Sequence, residues 1–375
     1  MQNLSEKALH IVSFDVPFPA DYGGVIDIFY KIKALHSQGV IIHLHCFHYG
    51  REQSVVLEKY CQKVYYYQRN LDKKFLFNSL PYIVATRTSK ELLQNLLQKD
   101  LPILFEGLHC CALLKDQRLK NRLKMVRMHN IEHKYYEGLA QSESNFFKRF
   151  YFRREAKKLK TFEAILHSSN YILAISPGDA QELSKKYKNV IEITAFHPNE
   201  SVEIQQGLGK FALYHGNLEI GENNQAALFL VNKVFNTIDT PFIIAGKNPS
   251  QELLLAVKNK KHIQIKSNLS TEAIHELITQ AQINILPTFQ ATGIKLKLLM
   301  ALFNGRHCIV NSFMVENSSL ASLCQIHDSS VEMTKKVKEY FVLPFKDEEK
   351  LKRENILMDQ FSNRKNIQKL IELLG

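Results

Sequence analysis

No two cysteines in this sequence stand at CxxC spacing. Six of them, Cys46, Cys61, Cys110, Cys111, Cys308 and Cys324, are scattered over 375 residues, which speaks against a structural zinc site. The adjacent Cys110 and Cys111 are read as a reduced, partly buried pair in preference to a redox couple. No uncharged apolar run is long enough to span a bilayer. The N-terminus, MQNLSEKALHIVSF, has an early glutamate and no extended apolar core. It lacks the pattern of a signal peptide, and the chain is read as cytoplasmic. Short internal repeats and low-complexity segments are also missing.

What is present is ordinary globular material. Apolar residues make up 45% and charged residues 23%, enough for real cores and against disorder. The net charge of +12 favours anionic partners: nucleic acid, acidic lipid headgroups or phosphorylated small molecules. No nucleic-acid motif appears and the positive charge is spread along the chain, so nucleic acid is set aside.

Apolar periodicity alternates between strand and helix. HIVSFDVPFP is a buried strand that breaks at Pro17 and Pro19. ADYGGVIDIFYKIKALHSQG follows, with Val25, Ile28, Phe29, Ile32 and Leu35 at helical spacing and Gly39 as its stop. VIIHLHCFHYG is the next strand. A strand–helix–strand unit of this kind predicts a parallel sheet with helices on both faces. The pattern continues through KVYYYQR, SKELLQNLLQK, PILFEG and LKMVRMHN, then the long helix FFKRFYFRREAKKLKTFEAILHSS, then NYILAISP, GDAQELSKKY and NVIEITAFHPN. A second alternation opens with KFALYHGN and runs through PFIIAGK, IQIKS, INILPT and HCIVN, with helices between. The expected organisation is a Rossmann-like domain over 1–199, a linker over 200–209, a second Rossmann-like domain over 210–345, and a helical tail over 346–375. The two halves are expected to face each other across a ligand cleft, with the C-terminal helix packed back on the first domain.

Two strand-to-helix turns stand out. In PTFQATGIKLKLLMALFNGRHCIV, Thr292 and Gly293 precede a leucine-rich helix, and Lys295 and Lys297 stand at its start. Helix N-termini present unpaired N–H groups and partial positive charge, where a phosphate fits and cations are otherwise unfavourable. Two lysines there make sense around an anion, although residues two apart do not share a helix face, so one of them is expected to make the direct contact. The alternative is solvated helix surface. In the first half, Gly23 and Gly24 allow close backbone approach at a similar turn.

These stretches resemble a known family. PFPADYGGVIDIFYKIKALHSQG, MVRMHNIEHKYYEGLA, LAISPGDAQEL, YHGNLEIGENNQAALFLV and ATGIKLKLLMALFNGRHCIV occur in the order seen in group 1 glycosyltransferases of the GT-B fold. The resemblance covers roughly residues 10 to 312. It implies a nucleotide-sugar donor bound mainly by the second domain and a glycan or lipid-linked acceptor bound mainly by the first. It places Gly23 and Gly24 beside the donor diphosphate and His129 against the transferred sugar. Gly216, Asn217 and Lys247 fall near the donor, Ile285, Leu286 and Pro287 border the base, and Thr292, Gly293, Lys295 and Lys297 hold the diphosphate. The reaction implied is retaining. No cofactor is called for beyond the donor itself, and no metal, since lysines neutralise the diphosphate and no DxD-like acidic pair is seen.

The sequence also departs from the family. Two glutamates with seven residues between them are usual around this last helix; here the positions hold Thr292 and Met300. Members often carry an arginine and a lysine after the first strand of the second domain, and HGNLEIGENN has neither. A non-catalytic homologue that binds a partner or glycan is therefore the second reading, and a sugar-nucleotide epimerase a third. HNIEH matches the HxxEH pattern of zinc peptidases through His129, Glu132 and His133, but the strand pattern up to His129 opposes a shared helix face. HLHCFH puts His43 and His45 on one strand face and His48 on the other, and these are read as satisfied strand histidines. Residues 146–160 interleave aromatics with basic residues; they either pack on the first domain or lie against an anionic membrane surface.

Overall fold

The structure is a computed structural model in which residues 7–143, 145–289 and 295–375 are described. Thr292 and Gly293 lie outside the described residues. The chain forms two compact units. Among the described residues, the first takes those up to Pro198 together with Phe361–Gly375, and the second runs from Asn199 to Gln360.

Seven strands build the first unit: β1 Ala8–Ser13, β2 Ile41–His48, β3 Lys63–Gln68, β4 Ile103–Glu106, β5 Lys124–Met128, β6 Tyr171–Ala174 and β7 Val190–Glu192. They lie in the order β3-β2-β1-β4-β5-β6-β7, and every pairing is parallel. Strand sequences such as ILFE and KMVRM are buried throughout, as expected of a parallel sheet covered on both faces. The helix Gly23–Ser37 returns the chain from β1 to β2 and buries Val25, Ile28, Phe29, Ile32 and Leu35. Gly39 stops it in the left-handed region at φ 75°, a conformation costly for other residues.

Six further strands form the second unit: β8 Ala212–His215, β9 Phe242–Gly246, β10 Ile263–Ser267, β11 Ile283–Ile285, β12 His307–Val310 and β13 Gln325–Ile326. Their order is β10-β9-β8-β11-β12-β13, again all parallel. In each sheet the order reverses beside the first strand, between β1 and β4 and between β8 and β11. Ligands of open α/β sheets bind at the carboxyl ends of strands at such switch points.

The chain ends on the first unit. The helix Asn363–Glu372 buries Ile367 and Leu370 in the first core, and Asn366 donates to Thr194 Oγ1 at 2.8 Å. The preceding helix Asp347–Gln360 stays with the second unit, where Arg353 donates to the Gly305 carbonyl at 2.6 Å. Residues 200–209, read as a linker, are laid along the second unit. Val202 and Ile204 are buried, Glu203 N donates to Phe303 O at 2.8 Å, and Gly207 bridges Phe345. The helices Glu132–Ser142 and Ser330–Phe341 are additions to the sequence expectation. The first is weakly patterned, with Gly138 inside it, and only three of its residues are buried.

Candidate functional site

In the first unit the carboxyl ends of β1, β4 and β5 carry Phe14, Gly107 and His129. His129 sits one residue past β5 and is buried. Its Nε2 lies 3.0 Å from Glu106 Oε2. Glu106 is held ionised: burial works to raise its pKa, and Lys31 and His129 together bring it below the ordinary value. A carboxylate only accepts, so Nε2 carries the proton. The other ring nitrogen, Nδ1, is sealed from solvent with no hydrogen-bond partner among the described residues.

Beneath His129 is a buried ionic lattice. The Lys31 ammonium reaches Asp27 Oδ2 at 2.9 Å and Glu106 Oε1 at 2.7 Å. Arg127 clamps Asp27 through Nη2 at 2.8 Å and Nε at 3.1 Å. Burial opposes the charge on Asp27, and Arg127 and Lys31 override it, leaving the carboxyl far below its usual range. Two carboxylates thus meet two cations. Asp27, Glu106 and His129 converge closely enough to hold a metal ion. The position for that cation is already served by the covalently attached ammonium of Lys31, and a divalent ion would leave Lys31 buried and unpaired. The sequence reading missed this lattice. Its one local trace is Asp27 and Lys31, a charged i,i+4 pair on the apolar face of an otherwise ordinary helix.

Gly24 has a structural duty. A Cβ there would come within 2.6 Å of Phe14 Cζ, and the Phe14 ring packs edge-on to His129 at 5.4 Å and against His109 at 5.1 Å. Gly23 opens the same helix. The HxxEH residues do not converge. His133 turns to Glu163, with Nδ1 2.9 Å from Oε2, while Glu132 is buried and pushed up to about 8 by that burial. Of the strand histidines, His45 is satisfied by His10 and Tyr67 at 2.9 and 2.8 Å. His43 is not: both its ring nitrogens are buried without a partner among the described residues, so the expectation of satisfied histidines holds for His45 and fails for His43. Cys110 and Cys111 are free and fully buried.

The second unit gathers its polar groups at the carboxyl ends of β8, β9 and β11. Lys295 is the N-cap of the helix Leu296–Asn304, with extended backbone, and Lys297 is the second residue of that helix. Because Lys295 lies outside the helix, the rule about positions two apart does not separate the pair. Both ammonium groups turn to the start of the helix Gly221–Phe229. Lys295 Nζ is 3.9 Å from Glu222 Oε1, and Lys297 Nζ donates to Asn223 Oδ1 at 2.9 Å. Lys297 also stands 5.2 Å from the centre of the Tyr214 ring. Burial lowers its pKa to about 8, with Glu222 opposing and Lys295 adding to the shift. Lys295 is lowered for the same leading reason, burial, again with Glu222 opposing. These are not solvated surface lysines.

Asn223 is the joint of this site. Its amide donates to the Asn217 carbonyl at 2.9 Å while its oxygen accepts from Lys297. Tyr214 Oη donates to the Asn223 carbonyl at 3.1 Å. Asn217 spends its own side-chain oxygen on Glu219 N at 3.1 Å, so it shapes the turn. Gly216 continues from β8 and hydrogen-bonds Ala245 O at 3.0 Å. Lys247 is exposed just past β9, its carbonyl accepting from Leu218 N at 3.1 Å. Pro287 is buried after β11 with Ile285 and Leu286. Thr288 follows and bonds Glu222 through its hydroxyl. Glu222 escapes notice in the sequence because an acid in a first helical turn is unremarkable. Met300, one of the two positions where the sequence departs from the resemblance, packs against the apolar cluster of Phe211, Leu213 and Ile243.

No family model matches the chain. A Klebsiella pneumoniae protein described as an uncharacterized 44.6 kDa protein in the cps region is 29% identical over 334 residues, which is 82% of this chain and 84% of that protein. Among solved structures, a mutant of S. aureus TarM in complex with Fondaparinux, alpha-GlcNAc-glycerol and UDP matches at TM-score 0.68 and 9% identity, over 98% of this chain and 100% of that one. Anabaena HepE in complex with UDP and glucose matches at 0.67 and 9%, over 98% and 99%. The lipopolysaccharide outer core galactosyltransferase WaaB matches at 0.62 and 13%, over 97% and 99%. At these identities the likeness establishes the fold: two parallel α/β units of the GT-B type.

Proposed function

We propose that the protein is a glycosyltransferase that moves a sugar from a nucleotide-sugar donor to a glycan or lipid-linked acceptor. One observation carries this reading: two desolvated lysines, Lys295 and Lys297, converge at the switch point of the second sheet. A half-buried cation is poorly hydrated and favours an anion beside it, and the acid beside them among the described residues, Glu222, reaches Lys295 only at 3.9 Å. A donor diphosphate satisfies both lysines, and negative charge grows on that group as it leaves. Preorganised cations at such a position lower the barrier; by analogy with oxyanion-hole donors, losing one costs about 2.7–4 kcal/mol. His129, at the carboxyl end of β5, is the residue proposed to meet the transferred sugar. The complexes of HepE and TarM with UDP support the donor class. Retention of configuration and independence of metal are part of the proposal.

The test is a donor screen. Nucleoside diphosphates should raise the melting temperature, Lys295→Ala and Lys297→Met should weaken that effect, and one sugar nucleotide should be hydrolysed or transferred. Lysine variants with undiminished affinity would sink the site.

A second reading, a GT-B homologue that binds without transferring, is favoured by Met300, whose side chain is packed in apolar surroundings and cannot take the hydrogen bonds of the usual glutamate. Tight donor binding with neither hydrolysis nor transfer would select it. Peripheral membrane contact through residues 146–160 is proposed alongside either reading. Phe146, Phe147 and Phe150 are 65%, 81% and 63% exposed at the start of the helix Phe146–Phe162, beside the basic Lys148, Arg153 and Arg154.

A further inference from the structure

Two arginines in the first unit lack counter-ions among the described residues. Arg69 follows β3, and Arg87 lies just past the short helix Tyr82–Ala85. Both are buried, 8% and 4% exposed. Their guanidinium carbons lie 4.3 and 5.6 Å from the centre of the same ring, Tyr49. Arg69 Nε donates to Thr86 Oγ1 at 3.0 Å. Arg87 gives Nε to the Phe14 carbonyl at 2.9 Å and Nη1 to the Ile83 carbonyl at 2.8 Å. That leaves both Nη groups of Arg69 and Nη2 of Arg87 without an acceptor among the described residues, and none of the three is sealed from solvent.

No described carboxylate pairs with either guanidinium. Other arginines of the same unit do find one, as Arg51 does with Asp21 and Arg127 with Asp27. The acids nearby are otherwise engaged. Asp15 accepts from Tyr22 Oη and from Val16 N, both at 2.9 Å. Glu132, raised to about 8 by burial, carries little charge at neutral pH. Arg87 itself is pushed below its ordinary value, first by burial and then by Arg69. Two like charges held together in a dry setting, with donors left over, form a fork for an oxyanion.

The position gives that fork a purpose. Phe14 joins it to the histidine: its carbonyl accepts from Arg87, and its ring packs on His129 and His109. We infer that Arg69 and Arg87, stacked about Tyr49, bind a phosphate or carboxylate group carried by the acceptor and so hold the acceptor beside His129. The word acceptor rests on the glycosyl-transfer reading; the anion site itself does not.

Calorimetric titration of the full chain with inorganic phosphate tests this, using the wild type, Arg69→Gln and Lys297→Met. The Arg69 variant should lose at least tenfold in one class of phosphate site and keep its affinity for uridine diphosphate. The Lys297 variant should show the reverse. Phosphate binding by Arg69→Gln equal to the wild type, at unchanged circular dichroism, would overturn the inference. Should that variant fail to fold, Arg69→Lys carries the same comparison, since it keeps the charge and loses the fork. Failure of the donor reading is separately visible, as an absence of uridine diphosphate binding in the wild type. Acetate in place of phosphate assigns a carboxylate, and glycerol 3-phosphate against phosphatidylglycerol vesicles assigns a soluble or a lipid-borne phosphate. Each assignment counts only if Arg69→Gln abolishes it.

Discussion

Lys31 Nζ lies 2.7 Å from Glu106 Oε1 across 75 residues of sequence, and both side chains are essentially inaccessible. Removing one partner strands a buried charge, which costs about 3–5 kcal/mol. Lys31→Met should lose that much stability in urea unfolding. It also opens the Asp27–Glu106–His129 cluster to an outside cation. Zinc or manganese should then raise the melting temperature of the variant and leave the wild type unmoved. A wild type stabilised by either metal would refute the idea that Lys31 occupies the position.

Gly24 bears on His129 through Phe14. A methyl group 2.6 Å from Phe14 Cζ must displace the ring, at a cost of about 1–3 kcal/mol for overpacking. Gly24→Ala should therefore melt earlier and turn over sugar nucleotide more slowly, with nucleoside diphosphate affinity intact. Equal turnover would show that Phe14 does not support His129.

The pKa of Lys297, lowered to about 8, sets the pH dependence of donor binding. The lysine is charged below that pH and neutral above it. Nucleoside diphosphate affinity should thus fall as pH rises through 8, by about tenfold between pH 7 and 9 if the charge governs binding. Lys297→Arg stays charged over this range and should flatten the profile. Calorimetry at pH 7, 8 and 9 decides.

His10 is held near pKa 4, chiefly by burial, with Nδ1 2.9 Å from His45 Nε2. A histidine buried neutral is protonated more readily in the unfolded chain. Its contribution to stability is complete above about pH 6.5 and is lost as pH falls toward 4, at about 1.4 kcal/mol per pH unit for each such group. Urea unfolding from pH 7 to 4.5 should show this slope, and His10→Phe should reduce it by one proton's worth. An unchanged slope would place the titration elsewhere.

The exposed Phe146, Phe147 and Phe150 predict binding to anionic vesicles that weakens with added salt. Phe147→Ser combined with Phe150→Ser should reduce flotation without changing the melting temperature. No helix among the described residues is long and apolar enough to cross a membrane. Flotation that ignores both salt and the substitutions would remove the proposal.

Much of the fold is legible in the sequence because its signals are local. An apolar run closed by Pro17, a helical stripe from Val25 to Leu35 and a stop at Gly39 are each written within twenty residues. The repeat of that pattern predicts two parallel sheets, and LKMVRM alone places His129 at a strand end. The lysines at 295 and 297 are visible as cations in an unusual position. Their neighbours are not, since nothing local to Glu222 or Asn223 tells that they face residues more than seventy positions away.

What the sequence determined by itself is the alternation of strand and helix, because periodicity and turn chemistry act over a few residues and need no distant partner. Only the tertiary structure decided which charges are neutralised. Strand order brings Glu106 to Lys31 and Arg127 to Asp27, and it leaves Arg69 and Arg87 sharing Tyr49 with no described acid paired to either. A charge has the same letter in the sequence whether it is hydrated or buried, and the free energy separating those two states exists only once the sheets have closed around it.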